Sequence, residues 1–423
     1  MRDLLRSRPQ DVLLHVTDSQ WLLELPAMAV AGFVPLAPDD LVAAAAALGG
    51  PLVLHAHGTV PWVRQACGRL AAATGAPRLL TLHDVWFADP AVGAEELAAR
   101  LAFARSADCC VAPSEFIVRR AQEVLGEGFA CHWVPLASEP FDEPALGDPA
   151  PLPAAAQAAR GEAGFDVAVI GAIGAHKGLG VLEALAPLLL PDVRVLVLGY
   201  TERQLRQGWT AGGSLWVHGI FSPEQLPALV RQYGVRLALF PPGMPESHCY
   251  ALSDAWACGL PVLAPDHGAL SERVRRHGGG VLYPPQTEAA ALAHAVRSQL
   301  SAPAPRLFAP LPTMEAMMAA MNQHYHTLAP ATVADAPAGP DAVDAVALQR
   351  LAQRHLDGRF FRLEVTDLQK EVERVSAALA HAEQRLAEVA RERDAATAAH
   401  HHLSQRLARV PAWLRRLGGR LLR

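Results

Sequence analysis

The chain has little with which to build a disulfide-stapled or membrane-spanning protein. Its cysteines, at 67, 109, 110, 131, 249 and 258, include no C-x-x-C pair. The adjacent Cys109 and Cys110 sit in an apolar run that reads as a buried strand. That usage argues against a disulfide framework and fits reduced thiols in a cytoplasmic protein. No stretch reaches the roughly eighteen uncharged apolar residues of a spanning helix. The N-terminal MRDLLRSRPQDVLLHV is charged throughout, where a signal peptide needs an unbroken apolar segment. Positive charge is not in excess either: 37 Lys and Arg against 42 Asp and Glu leave a net charge of -5, so nothing global points to nucleic acid. There is no Asp-x-Asp sequence for a metal diphosphate and no G-x-S-x-G elbow for a serine hydrolase. His55-x-His57 has no further Cys or His at a spacing that completes a tetrahedral set, so no metal and no organic cofactor is expected.

What is present is apolar material in a regular order. The chain has 423 residues, 51% of them hydrophobic, which implies two domains plus appendages. From 11 to 137, short β-like runs alternate with helical patterns: Asp11–Val16, Pro51–Leu54, Arg78–Leu82, Cys109–Ala112 and Cys131–Pro135, with helices over 60–74, 92–106 and 114–125. Ser114 supplies a helix start. Residues 138–163, rich in Pro, Ala, Glu and Gly, read as a linker. A second series follows, with strands Asp166–Ile170, Val193–Leu198, Leu215–His218, Leu237–Phe240, Pro261–Ala264 and Gly280–Tyr283. Helices over 176–190, 222–233, 248–258, 269–277, 287–300 and 312–328 fill the gaps. Continuous apolar strands separated by helices imply parallel sheets covered on both faces. The expected fold class is therefore α/β, with two facing Rossmann-like domains over 1–137 and 164–328.

The segment with most chemical content is PESHCYALSDAWACGLPV (245–262). Ligands of open α/β sheets bind beyond the carboxyl ends of strands, where loops meet helix N-termini. Glu246 is placed there, and the N–H groups of Ser247, His248 and Cys249 would hold phosphate oxygens. Asp254 follows eight residues on, about two helical turns, which returns it towards the side of Glu246. Two carboxylates so placed suit sugar hydroxyls. A capping Glu and a solvated Asp on an amphipathic helix explain the same spacing equally well. In GAIGAHKG (171–178), Gly171 opens a turn after a strand and Lys177 sits near the next helix start, where an ammonium can neutralise a diphosphate leaving group. A solvated helix start is the plainer reading of that lysine.

The acidic pair, GAIGAHKG, GLPVLAPDHGALSERV (259–274) and, in the first half, LTLHDVWFADP (80–90) together resemble the family 4 glycosyltransferases of GT-B architecture, of the kind that build bacterial surface polysaccharides. The resemblance implies a retaining transferase that moves a sugar from a nucleotide-diphosphate sugar to a glycan or lipid-linked acceptor. It implies that Glu246 contacts the transferred sugar, Asp254 the ribose, Lys177 the diphosphate, and His83 the donor sugar or its phosphate. His57, Asp84 and Trp86 fall on the acceptor side. Asp stands at 254 where the family more often has Glu, and Ala172 where it has an arginine. The family's first strand and glycine-rich loop have no counterpart in the N-terminal segment, so the first domain reads as truncated or reduced.

After 328 comes a low-complexity Ala/Pro linker, 329–345. Apolar residues then recur at alternating spacings of three and four from Val365, so that 346–410 reads as a long helix with a coiled coil over 363–410, a candidate homo-oligomer contact. The basic end, 406–423, with Trp413 among leucines, suits an anionic membrane surface on the cytoplasmic side. Two other readings stay open. One is a degenerate, transferase-like scaffold assembled through the coiled coil; the other is a sugar-nucleotide epimerase on the same architecture.

Overall fold

A computed structural model describes residues 13–16, 21–24, 33–35, 38–48, 52–138, 141 and 151–328. The expected coiled coil, oligomer contact and basic tail lie outside the described residues. The chain opens with β1 (Leu13–Val16), β2 (Trp21–Glu24) and β3 (Phe33–Pro35), which form an antiparallel meander in the order β1-β2-β3. This departs from the parallel α/β series read from the sequence. Helix α1 (Leu41–Leu48) follows, and then the alternation becomes regular: β4 (Leu54–His57), α2 (Pro61–Thr74), β5 (Arg78–Thr81), α3 (Ala94–Arg105), β6 (Cys109–Ala112), α4 (Glu115–Leu125) and β7 (Cys131–Trp133). These four strands are parallel, in the order β4-β5-β6-β7. β4 begins at Leu54 and not at Pro51, which puts His55 and His57 inside the strand. Pro51 has no N–H to give a ladder, which favours the later start.

The stretch read as a linker contains α5 (Ala154–Arg160), whose Ala156 and Ala159 are buried in the second core. Beyond it run β8 (Val167–Ile173), α6 (Leu179–Leu189), β9 (Val195–Thr201), β10 (Gly208–Thr210), β11 (Leu215–Val217), α7 (Leu226–Tyr233), β12 (Leu237–Leu239), α8 (Tyr250–Ala257), β13 (Val262–Pro265), α9 (Gly268–His277), β14 (Gly280–Tyr283), α10 (Ala289–Ser301) and α11 (Met314–Leu328). The sheet order is β10-β11-β9-β8-β12-β13-β14, parallel except for β10. Each strand feeds both faces. Val167 and Val169 join the core with Leu182, Leu185 and Leu189 of α6, while Ala168 and Ile170 join the opposite core with Leu229 and Leu252. Full burial of each such leucine stabilises by about 2 kcal/mol.

Helix α11 does not stay with the sheet that precedes it. Its Met317, Met318, Met321 and Tyr325 pack on Leu79, Val111 and Val134 of the first sheet. A second tie between the halves comes from α9. Both oxygens of the Glu272 carboxylate accept hydrogen bonds from the first turn of α4, from Glu115 N at 3.1 Å and Phe116 N at 2.9 Å. A carboxylate at a helix N-terminus satisfies donors that the helix cannot. Arg276 bridges to Glu115 at 2.9 Å and lies 4.0 Å over the Trp133 ring.

Where β8 and β9 run side by side, the close approach demands glycine at 199. A Cβ there would lie 2.0 Å from the carbonyl oxygen of Gly171, and φ is +134°. Gly199→Ala is therefore expected to lose about 2 kcal/mol or more in urea unfolding. A wild-type midpoint would show that the strands can part without cost.

Candidate functional site

At the carboxyl end of the second sheet, two loops are laced together. The first leaves β8 through Gly174 and a short 3-10 turn, Ala175–Lys177. It ends at Gly178 with φ +77°, where a Cβ would meet the Pro242 carbonyl oxygen at 2.2 Å. The second loop, 241–246, answers with Met244 N donating to His176 O at 2.7 Å. The lacing sets Lys177 Nζ 3.3 Å from Glu246 Oε1. With the side chains 39% and 27% exposed, such a pair is worth about 1 kcal/mol at most. It is therefore a poor stabiliser and a good candidate for service to a ligand.

Glu246 is held from its backbone: its carbonyl accepts from Ala269 N at 2.9 Å, at the start of α9. The chain then passes Ser247, His248 and Cys249. Cys249 has φ +67°, the one positive φ outside glycine among the described residues. A left-handed residue cannot continue a helix, so α8 begins at Tyr250 and not at 248 as its sequence suggests. The strain, of order 1–3 kcal/mol, is held by Arg273. Its guanidinium donates to His248 O at 3.0 Å, Cys249 O at 2.8 Å, Ser253 Oγ at 2.7 Å and Ser138 Oγ at 3.0 Å. Arg273 is 6% exposed, and burial lowers its pKa to about 10, so it remains a cation at neutral pH. Sequence reasoning missed it. The signal was a lone arginine on the apolar stripe of α9, among Leu270, Val274 and His277.

These loops line a cleft of about 440 Å³. One side is Gly171, Ala172, Lys177 and Glu246; another is Ser247 to Ala251 with Asp254; the apolar wall is Ile220, Phe221, Pro223 and Leu226. So the structure brings together Gly171, Lys177, Glu246, Ser247, His248, Cys249 and Asp254. Burial raises the Asp254 carboxyl to about 6, opposed by the nearby Arg273. Burial, reinforced by Glu246, pushes the Cys249 thiol up to about 12, which keeps it protonated and a poor nucleophile. Burial first and Arg273 second lower His248 to about 3, so its imidazole is neutral.

The first-domain residues are a separate group. His83, His57, Asp84 and Trp86 do not line this cleft. His83 Nε2 lies 2.7 Å from His57 Nδ1, the rings stacked at 5.0 Å. Burial, then His83, lowers His57 to about 3, so the pair shares a hydrogen bond with His57 uncharged. His55 lies 2.6 Å from Tyr325 Oη and 2.7 Å from Thr81 Oγ1. Asp84 caps its own turn by accepting from Trp86 N at 2.8 Å. Trp86 is 46% exposed.

Residues 155–308, the segment that carries the cleft, match the family described as glycosyl transferases group 1. No curated protein sequence matches the chain. Among solved structures, a sucrose-phosphate synthase from Thermosynechococcus elongatus is similar at 20% identity and a TM-score of 0.49, over 65% of this chain and 73% of that one. HepE of Anabaena, in complex with UDP and glucose, is similar at 16% identity and 0.45, over 72% and 77%. An E. coli trehalose-6-phosphate protein bound with UDP-2-fluoro glucose is similar at 13% identity and 0.47, over 76% and 75%. Among the described residues no helix is long and apolar enough to cross a membrane.

Because Arg273 serves four acceptors from a buried position, Arg273→Met should destabilise the protein by about 3 kcal/mol. Chemical unfolding reads this directly; a loss below about 0.5 kcal/mol would mean that water replaces the guanidinium at no cost.

Proposed function

We propose that the chain is a retaining glycosyltransferase that takes a nucleotide-diphosphate sugar into the cleft of the second domain and passes the sugar to a glycan or lipid-linked acceptor. The observation that carries this reading is the half-exposed Lys177–Glu246 pair, held at 3.3 Å on the rim of a cleft whose far end holds Asp254. A cation and a carboxylate that do little for stability, set on the cleft beside the turn 247–249 that leads into α8, suit the diphosphate and the hydroxyls of such a donor. The match of residues 155–308 to group 1 glycosyl transferases supports the same reading.

In this reaction the bond from the sugar's anomeric carbon to the diphosphate oxygen breaks. A bond to the acceptor oxygen forms on the same face, which keeps the configuration. The acceptor's proton passes to the departing diphosphate. Lys177 neutralises the charge that grows on that leaving group, and the N–H groups of Ser247, His248 and Cys249 add to it. Glu246 accepts hydrogen bonds from the transferred sugar and keeps the Lys177 ammonium in place. Asp254 accepts from the ribose diol, and the apolar wall at Ile220 and Phe221 takes the base. His83, with His57 as its hydrogen-bond partner, is the first-domain group offered to the donor, while Asp84 and Trp86 border the acceptor. The chemistry asks for no metal and no organic cofactor. The heptad-like spacing read from the sequence over 363–410 and the basic residues of 406–423 fit an oligomer working at the cytoplasmic face of a membrane.

One observation favours a second reading, a transferase-like protein that binds donors without turning them over. Ala172 lines the cleft where a second cation would stand, which leaves Lys177 alone against a diphosphate. Titration of UDP-, GDP- and ADP-sugars, followed by product analysis, separates the two. Binding with transfer or hydrolysis supports the enzyme, and binding alone supports the scaffold. Absence of binding to any of them would overturn both.

Two measurements probe the roles. Lys177→Ala and Glu246→Ala should each lower kcat/KM by about 10²–10³-fold, the scale of one lost charge-stabilising group; an unchanged value removes that residue from the reaction. The Asp254 pKa near 6 gives a pH signature. As pH falls from 8 to 5 the carboxyl gains a proton and loses its capacity to accept from a diol, so donor Kd should rise with a midpoint near 6. Asp254→Asn should bind weakly at every pH, and a wild-type profile as flat as the variant's would refute the ribose role. Stability of the free protein runs the other way. A raised carboxyl pKa contributes stability that is fully present below about 3.9 and lost as pH rises through 6.

A further inference from the structure

On the first sheet, far in sequence from the cleft residues, three metal-ligating side chains converge. β6 and β7 are in register with Val111 opposite His132. Side chains alternate along a strand, so Cys109, two residues before Val111, shares a face with His132. Helix α11 covers that face, and its His324 places Nδ1 3.6 Å from Cys109 Sγ across 215 residues of sequence. The His324 and His132 rings lie 5.0 Å apart, and one ligand atom from each of the three residues falls within 4.8 Å of the others.

We infer that Cys109, His132 and His324 form a binding site for a zinc-like divalent cation, which pins α11 to the first sheet. Zinc held at about 2.3 Å from sulfur and 2.0–2.1 Å from nitrogen in a tetrahedron sets a sulfur–nitrogen edge of about 3.6 Å. The Cys109–His324 distance has that value before any ion is added. His132 is exposed and free to swing the short distance that closes the third edge, and the fourth position opens to water. One thiolate and two imidazoles with no carboxylate select zinc, cobalt or copper over magnesium or calcium. Cys110 and Cys131 lie on the opposite face of the sheet and take no part. On binding, the Cys109 thiol proton leaves to solvent. α11 carries the chain from the second domain back onto the first, so the ion reinforces a crossing that otherwise rests on Met317, Met318, Met321 and Tyr325. The rival account is a simple hydrogen bond between the Cys109 thiol and His324, with His132 solvated, which asks for no ion.

The test uses the full chain, stripped with a chelator and kept in a phosphine reductant, titrated with cobalt(II). We expect one equivalent to give a sulfur-to-cobalt charge-transfer band with visible d–d bands of tetrahedral intensity, bleached by zinc. Cys109→Ser should remove the charge-transfer band. His132→Ala, at a surface position that leaves packing intact, should raise the cobalt Kd tenfold or more. Zinc should raise the melting temperature of the wild type by a few degrees more than that of His132→Ala. Replacing His400, His401 and His402 together with alanine controls for the histidine run near the C-terminus and should leave the band unchanged. No charge-transfer band, a band that survives Cys109→Ser, or one lost only with His400–His402 would overturn the site.

Discussion

The buried guanidinium of Arg273 is the interaction on which the cleft depends. A loop that turns through a left-handed cysteine gains little support from its own backbone: Cys249 O accepts only from Leu252 N at 3.2 Å among the backbone bonds of the described residues. Arg273 takes the carbonyls of His248 and Cys249 and the hydroxyls of Ser253 and Ser138 with one planar group. Lysine would bring a single nitrogen where two are in use. Because Ser138 belongs to the segment that leaves the first domain, the same side chain joins the cleft loop 247–249 to the crossing between domains. Neighbours on α9 continue the link: Glu272 caps α4, and Arg276 meets Glu115 and Trp133. One helix thereby shapes the cleft from one side and holds the first domain from the other.

Much of this was legible in the sequence. Strands β6 and β14 run where their apolar residues place them, and α4 starts at the capping serine, whose Oγ accepts from Ile117 N. The grouping of Lys177, Glu246 and Asp254 around one cleft followed from strand-end logic and a family resemblance. The failures have physical causes. Helical periodicity around 248–258 conceals the αL turn at Cys249, since φ leaves no mark on an apolar pattern when glycine is absent. Composition marked 138–163 as linker, yet two buried alanines, Ala156 and Ala159, are enough to seat α5 on the second core. Of the meander only β1 shows in the sequence, within Asp11–Val16; β2 and β3, four and three residues long, are too short for alternation to reveal. Helix α11 was placed with the nearer sheet because sequence order says nothing of which sheet a methionine face will choose.

The histidines show the same limit at the level of chemistry. His55 and His57 share one strand and His83 lies in a loop; the family resemblance gives His83 and His57 roles towards donor and acceptor, while the strand-end position of His55 offers it none. The structure distinguishes them by partner: Tyr325 and Thr81 hold His55, while His57 and His83 hold each other. His55 is thus part of the α11 attachment, and the pair is not. Neutral His57 serves as a fixed hydrogen-bond partner that orients the exposed His83 ring.

Cys249 and Ala172 carry opposite implications, and weighing them bears on whether the cleft can turn over a donor. Strain of order 1–3 kcal/mol at Cys249 is retained through Arg273 and buys nothing for packing, since a relaxed helix start at 248 would cost less. What it does is interrupt the helix and present Ser247 to Tyr250 as a turned wall of the cleft. Keeping a strained wall makes sense where a ligand is gripped. Ala172 removes charge from the same grip, but the loss is partial. Lys177 sits against Glu246 at 3.3 Å, so a bound anion would share the ammonium with a carboxylate that still holds it in place. An ammonium that is already lightly tethered and half exposed needs little reorganisation to do this, which is the property that an electrostatic catalyst requires.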